Sequence, residues 1–146
     1  RRLDRECLRV LIVSEDHGYG RYLAGIAQRW GAGDAHVTGL MDAVVTIRQN
    51  PLAYPLVILV GGSISSDFLA QVKRFSEAQP VALLLLAGSV DAYSYSAIMN
   101  RIADTIVDCD VKTRDRGTLF SYLDDMLALI NQKRYYASNP FSIFTR

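Results

Sequence analysis

The most constraining feature of the sequence is an aliphatic run that ends in small residues. Residues 55–61 read PLVILVG, and Gly62 and Ser63 follow. A strand without a polar position must be covered on both faces, which is typical of an inner strand in a parallel α/β sheet. Ligands and reacting groups of open α/β sheets lie just beyond the carboxyl ends of such strands. At that place this chain offers two glycines and a serine, and no charged side chain.

Four more segments have strand character, and helical patterns separate them. After a charged leader (residues 1–6), strands are predicted at residues 8–13, 34–38, 55–61, 81–86 and 104–109. The first helix is predicted to end at residue 30, and either Ser14 or Asp16 can cap its start. Four more helices are predicted over residues 40–49, 65–78, 91–102 and 116 to about 134. In the second helix the residues expected to face inward are Leu40, Val44, Val45 and Ile47.

This alternation predicts an α/β fold, a three-layer sandwich of the flavodoxin-like type. Its parallel sheet has five strands in the order 2-1-3-4-5 with five helices, because the most apolar strands belong in the middle and crossovers are right-handed. We expect residues 1–134 to form one domain. Residues 135–146 would be a tail or a linker to a missing output domain.

Composition and cysteine usage narrow the function classes. With 16 basic and 15 acidic side chains the net charge is +1, so nothing drives the domain toward nucleic acid or membrane. Cys7 and Cys109 are expected to be buried or half-buried thiols, and His17 and His36 stand alone, so no metal or cofactor is predicted. The chain opens with Arg1 and has no apolar run long enough to span a bilayer, which favours a cytoplasmic piece of a longer protein.

With these elements in order, the chain resembles the receiver domains of bacterial two-component response regulators. The resemblance covers residues 8–134 and rests on LRVLIVSEDHGYGRYL, YPLVILVGG, QPVALLLLAGS and RIADTIVDCDVK. It implies a receiver fold and a signal-transduction role without enzymatic activity. Receivers hold Mg²⁺ with two acids after the first strand, because a hard cation needs oxygen ligands, and phosphorylate an Asp that ends the third strand.

The residues at the matching positions depart from that pattern. Ser14 and Glu15 stand at the acidic positions with Asp16 one step beyond, and the remaining positions of the degenerate phosphoacceptor pocket are Gly61 for the Asp, Leu85 for the Ser/Thr and Cys109 for the Lys. Glycine has no side chain to phosphorylate, and without the Lys no charge stabilises a phosphoryl group. The resemblance is therefore to a pseudo-receiver, which lacks the phosphorylation chemistry. The lesser alternative is a phosphorylatable receiver with a displaced site, in which Lys112 would replace the missing Lys.

The main hypothesis is a phosphorylation-independent regulatory domain that acts through protein–protein contact or as a homodimer. Its partner would be another protein or an output domain, and the resemblance leaves open a pilus-assembly ATPase or a cyclic-dinucleotide signalling protein. Candidate interface residues are aromatic or apolar and follow the fourth strand: Tyr93, Tyr95, Met99, Tyr122, Tyr135, Tyr136, Phe141 and Phe144.

Two alternatives use the same edge of the sheet. A small anionic ligand, such as a nucleotide or cyclic dinucleotide, could bind free N–H groups at Gly61, Gly62, Ser63 and Ser89. Glu15 and Asp16 are the candidates for a metal site, although acidic residues at a helix N-terminus are stabilising without any metal. Ser63 lacks a nearby base in the sequence, so no catalytic residue is predicted.

Overall fold

The computed structural model describes residues 2–50, 53–60, 82–87, 105–108 and 116–138 of the 146-residue chain. A 3-10 turn at Arg5–Cys7 comes first, and eight helices and strands follow in the described residues. They are β1 (Arg9–Val13), α1 (His17–Trp30), β2 (Asp34–Thr38), α2 (Leu40–Gln49), β3 (Leu56–Val60), β4 (Ala82–Ala87), β5 (Thr105–Asp108) and α3 (Arg116–Ser138). Thus α3 is the fifth predicted helix, and the helices predicted at 65–78 and 91–102 lie outside the described residues.

All strand pairs are parallel, and the strand order is β2-β1-β3-β4-β5. Val10 of β1 lies opposite Ala35 of β2 on one side and Leu56 of β3 on the other. The α/β class and the order 2-1-3-4 are as predicted, with β5 paired to β4. The strand β2, which mixes polar and apolar residues, lies at the edge of the sheet, and only its last residue, Thr38, is buried.

The first helix is fixed at both ends by the residues that local chemistry favours. Of the two predicted caps, Asp16 is the one used, because its carboxylate accepts a hydrogen bond of 3.1 Å from the Tyr19 N–H. Gly31 ends the helix with φ 122°, a backbone conformation that favours glycine. The buried face includes the predicted Leu23, Ile26, Ala27 and Trp30, and Tyr19 is half-buried.

Two sequence predictions in the first half of the chain are wrong. Val45 of α2 is 51% exposed, whereas Ala43 and Ile47 are buried. Each residue advances a helix by about 100°, so a face centred on Ala43 and Ile47 turns Val45 away. Cys7 is exposed rather than buried, because it belongs to the 3-10 turn and not to a strand.

The last helix is longer than predicted. It runs over 23 residues and includes Tyr135 and Tyr136, so it passes the predicted end at residue 134. Its last described residue is Ser138, and Asn139-Pro140 come next in the sequence. The division at 134/135 therefore falls inside a helix, while the role of residues 139–146 stays a prediction. None of the helices in the described residues is long and apolar enough to cross a membrane.

The main core lies between the sheet and the pair α1 and α3. From the sheet it takes Val10 and Ile12 of β1, Leu56 and Ile58 of β3, and Ala82, Leu84 and Leu86 of β4. A buried stripe on α3, with helical spacing, covers them together with α1: Leu119, Leu123, Met126 and Ile130. This packing fixes α3 against the sheet and leaves the carboxyl ends of the strands at one edge.

Candidate functional site

The segment that leaves β1, Ser14–Asp16, is the part of the candidate site that the structure describes. Ser14 is buried, its N–H donates to the Thr38 carbonyl at 3.0 Å, and its hydroxyl donates to the Asp16 carbonyl at 2.7 Å. The first bond continues the ladder between β1 and β2 by one residue. The hydroxyl therefore holds the turn into α1 at the place where receivers have an acid.

Glu15 caps a helix that is distant in the sequence. Its Oε1 accepts a hydrogen bond of 2.9 Å from the N–H of Leu40, the first residue of α2. The N-cap of α2 is Gly39, which has no side chain to accept from the free N–H groups. An acidic side chain is favourable at this end of a helix, so Glu15 supplies what Gly39 lacks.

Both carboxylates of the segment thus contact helix N-termini, Asp16 that of α1 and Glu15 that of α2. In the described part of the chain, no group of three or more His, Cys, Asp or Glu side chains is arranged to hold a metal ion. The arrangement explains the acidic pair without any ion, because each carboxylate satisfies backbone N–H groups that the helix leaves unpaired.

The other members of the predicted pocket are placed only in part. Gly61 directly follows Val60, the last residue of β3, and Cys109 directly follows Asp108, the last residue of β5. Leu85 is an inner residue of β4 paired with Leu59, not the residue after the strand, because β4 continues to Ala87. Outside the described residues lie Gly61, Gly62, Ser63, Ser89, Tyr93, Tyr95, Met99, Cys109, Phe141 and Phe144.

The candidate interface residues that can be placed lie along α3. Tyr122 is half-buried and packs against the main core, so part of its ring is already covered by its own domain. Tyr135 is 57% exposed, and its ring meets that of Tyr136 edge to face with centroids 5.5 Å apart. Tyr135 is therefore the aromatic residue of this described set that a partner could reach most easily.

One cluster was not predicted from the sequence. Arg5 of the charged leader, Trp30 of α1 and Asp124 of α3 share hydrogen bonds. Arg5 and Asp124 are 119 residues apart, and no local motif connects them. Asp124 is followed directly by a second acid, Asp125, so nothing in the sequence marks it as a partner for a distant cation.

Comparison with known proteins supports the fold. The sequence matches no protein-family model and no curated protein. A protein from Burkholderia pseudomallei described as related to pilus assembly has a similar structure, with TM-score 0.70 and 17% identity over 88% of this chain and 96% of that one. A response regulator receiver domain from Clostridium thermocellum matches with TM-score 0.66 and 16% identity, covering 88% and 98%. The chain has a receiver-like fold.

One of the similar structures belongs to a longer protein. NtrX from Brucella abortus matches with TM-score 0.71 and 17% identity over 89% of this chain but 29% of its own. At such low identity these likenesses establish the receiver-like fold alone. They agree with the resemblance that the strand and helix motifs indicated.

Proposed function

We propose that this receiver-like domain is a non-catalytic regulatory module of signal transduction that acts through protein contact, without phosphorylation of an aspartate. The observation that carries the proposal is the identity of the residue after β3. Gly61 follows Val60 there, so the chain offers no carboxylate at the position from which receivers accept a phosphoryl group. The receiver-like fold supports the regulatory role, and the absence of a carboxylate at residue 61 supports a mode of action without phosphorylation.

The segment after β1 supports the same proposal. A Mg²⁺ ion prefers six oxygen ligands in near-octahedral geometry. Glu15 and Asp16 already accept hydrogen bonds through Oε1 and Oδ1 from the N–H groups of Leu40 and Tyr19, so an ion bound through these oxygens would compete with the caps. Each such cap contributes about 1 kcal/mol to stability, which accounts for the two acids without a metal.

Signal output would then depend on surfaces. The long helix α3 extends past the core stripe that ends at Ile130, and its last turns carry the exposed Tyr135. We place the contact with an output domain or with a second copy of the chain on this end of α3. The NtrX match, in which the receiver-like unit is 29% of the chain, makes an adjoining output domain the first partner to test.

The test is chemical phosphorylation. The purified chain is incubated with acetyl phosphate and Mg²⁺ beside an authentic receiver domain, and intact masses are measured before and after hydroxylamine, which cleaves acyl phosphates. We expect the authentic receiver to gain a hydroxylamine-sensitive phosphoryl group and this chain to gain none. A hydroxylamine-sensitive gain on this chain would overturn the proposal.

A second experiment on the same purified chain distinguishes the protein-contact hypothesis from the anion-binding hypothesis. A ligand that binds the folded state raises stability by RT ln(1 + [L]/Kd), so thermal unfolding with nucleotides and cyclic dinucleotides detects it. Under the proposal the unfolding temperature is unchanged by these ligands. A saturable rise would favour the ligand site predicted at Gly61, Gly62, Ser63 and Ser89.

A further inference from the structure

The leader that precedes β1 is held against α3 by its backbone. The N–H of Leu3 donates to Oδ1 of Asn131 at 2.6 Å, and Nδ2 of the same Asn131 donates to the Leu3 carbonyl at 3.0 Å. One carboxamide thus satisfies both backbone groups of one residue, as a neighbouring strand would. The two residues are 128 positions apart, so the contact joins the two ends of the described chain.

Arg5 makes the second attachment, and it joins three elements at once. Its Nη1 donates to the Trp30 carbonyl at 3.0 Å, and its Nη2 donates to Oδ1 of Asp124 at 2.6 Å. The guanidinium also lies 4.8 Å from the centroid of the Trp30 ring. Trp30 is the last residue of α1, so Arg5 satisfies a carbonyl that the helix leaves unpaired.

Asp124 contacts both Arg5 and Trp30. The oxygen that accepts from Arg5 also accepts from Nε1 of Trp30 at 3.0 Å. Removing Arg5 would therefore leave a charged oxygen with one donor in place of two. The Arg5–Asp124 pair is half-exposed, and such a pair by itself contributes little, so the attachment depends on the shared oxygen, the stacking and the carbonyl together.

The third attachment is steric. A Cβ atom on Gly33 would lie 2.0 Å from the Glu6 carbonyl oxygen, which means that the leader passes directly over the backbone after α1. The Gly33 N–H donates to the Leu8 carbonyl at 3.0 Å and aligns the leader with the start of β2. The backbone of this segment consequently lies against its neighbours at Leu3, Glu6 and Leu8, while residues 4–7 are exposed to solvent.

We propose that the segment Leu3–Cys7, which contains the end of the leader and the 3-10 turn, is a clasp that couples the amino-terminal end of the described chain to α3. When the clasp is closed, α3 is tied to α1 through Arg5, Trp30 and Asp124, and to the leader backbone through Asn131. When the leader is displaced, α3 loses its bonds to Arg5 and to the Leu3 backbone but keeps the bond from Trp30 to Asp124 and its apolar stripe on the sheet, so its motion increases while the sheet stays intact. The clasp is independent of whether Gly61 excludes phosphorylation.

Hydrogen exchange of the full chain tests the clasp. We compare wild type, Arg5→Ala and Asn131→Ala by amide exchange and mass spectrometry, with peptides from α3 and from β1 and β3 read separately. Loss of about one hydrogen bond's contribution corresponds to roughly fivefold faster exchange in the segment that it protects. We expect that increase in α3 of both variants and no change in the sheet.

Arg9→Ala is the matched control. Arg9 is as exposed as Arg5 (46% against 48%), forms an ion pair with Asp34 at 3.3 Å, and lies 4.9 Å from the centroid of the Tyr54 ring. It has the same local chemistry but connects β1 and β2 instead of the leader and α3. We expect exchange in α3 of Arg9→Ala to equal wild type.

Two results would overturn the clasp. Either exchange in α3 is unchanged in both Arg5→Ala and Asn131→Ala, or the sheet peptides accelerate as much as α3, which would make the leader a general stabiliser. Trp30 is the single tryptophan, so its fluorescence gives a second reading. A red-shifted emission in Arg5→Ala but not in Arg9→Ala is expected, and equal emission in both contradicts the clasp. None of these results depends on the phosphorylation test.

Discussion

Replacing Glu15 should weaken the fold through α2, although the two are separate in sequence. In Glu15→Ala the N–H of Leu40 loses its acceptor and the helix end loses a nearby negative charge. A cap bond contributes about 0.5–2 kcal/mol and a charge at an exposed helix end about 0.3–1 kcal/mol. Because Glu15 is exposed, we expect the lower part of the combined range, a loss of about 1 kcal/mol. Glu15→Gln keeps an acceptor oxygen and should lose about half as much.

Urea unfolding followed by circular dichroism measures this loss, with and without Mg²⁺. For a chain of this size a loss of about 1 kcal/mol lowers the unfolding temperature by about 3 °C, which a thermal scan resolves. Asp42→Ala is the control, because Asp42 also lies in the first turn of α2. It shares the charge effect but not the bond from Leu40, so it should cost less than Glu15→Ala.

The metal hypothesis predicts a different pattern. If Glu15 and Asp16 formed a Mg²⁺ site with Kd of about 1 mM, about 10 mM Mg²⁺ would stabilise wild type by about 1.4 kcal/mol. Without metal, neutralising Glu15 would relieve repulsion and raise stability. A Glu15→Ala variant that is more stable than wild type without Mg²⁺, or that loses a Mg²⁺-dependent gain, would refute the capping role.

Three glycine substitutions give further predictions, each measured by chemical unfolding. Gly25→Ala should stabilise by about 0.5–1 kcal/mol, because a Cβ there meets nothing within 4 Å and alanine favours the helix. Gly20→Ala in the same helix should destabilise the fold by about 1–2 kcal/mol, because its Cβ would lie 2.6 Å from Cγ1 of Val37. In a double variant that also carries Val37→Ala, this clash is removed and most of the lost stability should return. Gly33→Ala should destabilise the fold by about 2 kcal/mol, because its Cβ would displace the Glu6 carbonyl. It should also accelerate amide exchange in α3. Unchanged exchange in α3 would show that the position of the leader does not affect that helix.

Features governed by neighbours in the sequence could be predicted. The apolar character of β1 and β3 placed them inside the sheet, and both are buried. Asp16 and Gly31 mark the ends of α1 because their chemistry acts within one helical turn. The same reasoning gave the receiver-like resemblance, since the order of such elements limits the topology.

Features governed by distant contacts could not be predicted. Glu15 and Leu40 are 25 positions apart, and only the parallel pairing of β1 with β2 brings the end of β1 to the start of α2. In the sequence the leader is only a charged extension, because nothing local shows that Arg5 reaches Asp124. The apolar pattern of α2 does not give its buried face correctly at Val45, because an apolar residue can be exposed at little cost.

A titration of the ¹⁵N-labelled chain with beryllofluoride and Mg²⁺ examines the proposed mode of action at the site itself. Beryllofluoride mimics an acyl phosphate only when a carboxylate accepts it. The informative amides are those at the strand ends, Ser14, Val60 and Ala87. If the domain acts through contact alone, their signals do not move as beryllofluoride is added. A saturable, Mg²⁺-dependent shift of all three would show a working acceptor and contradict the account.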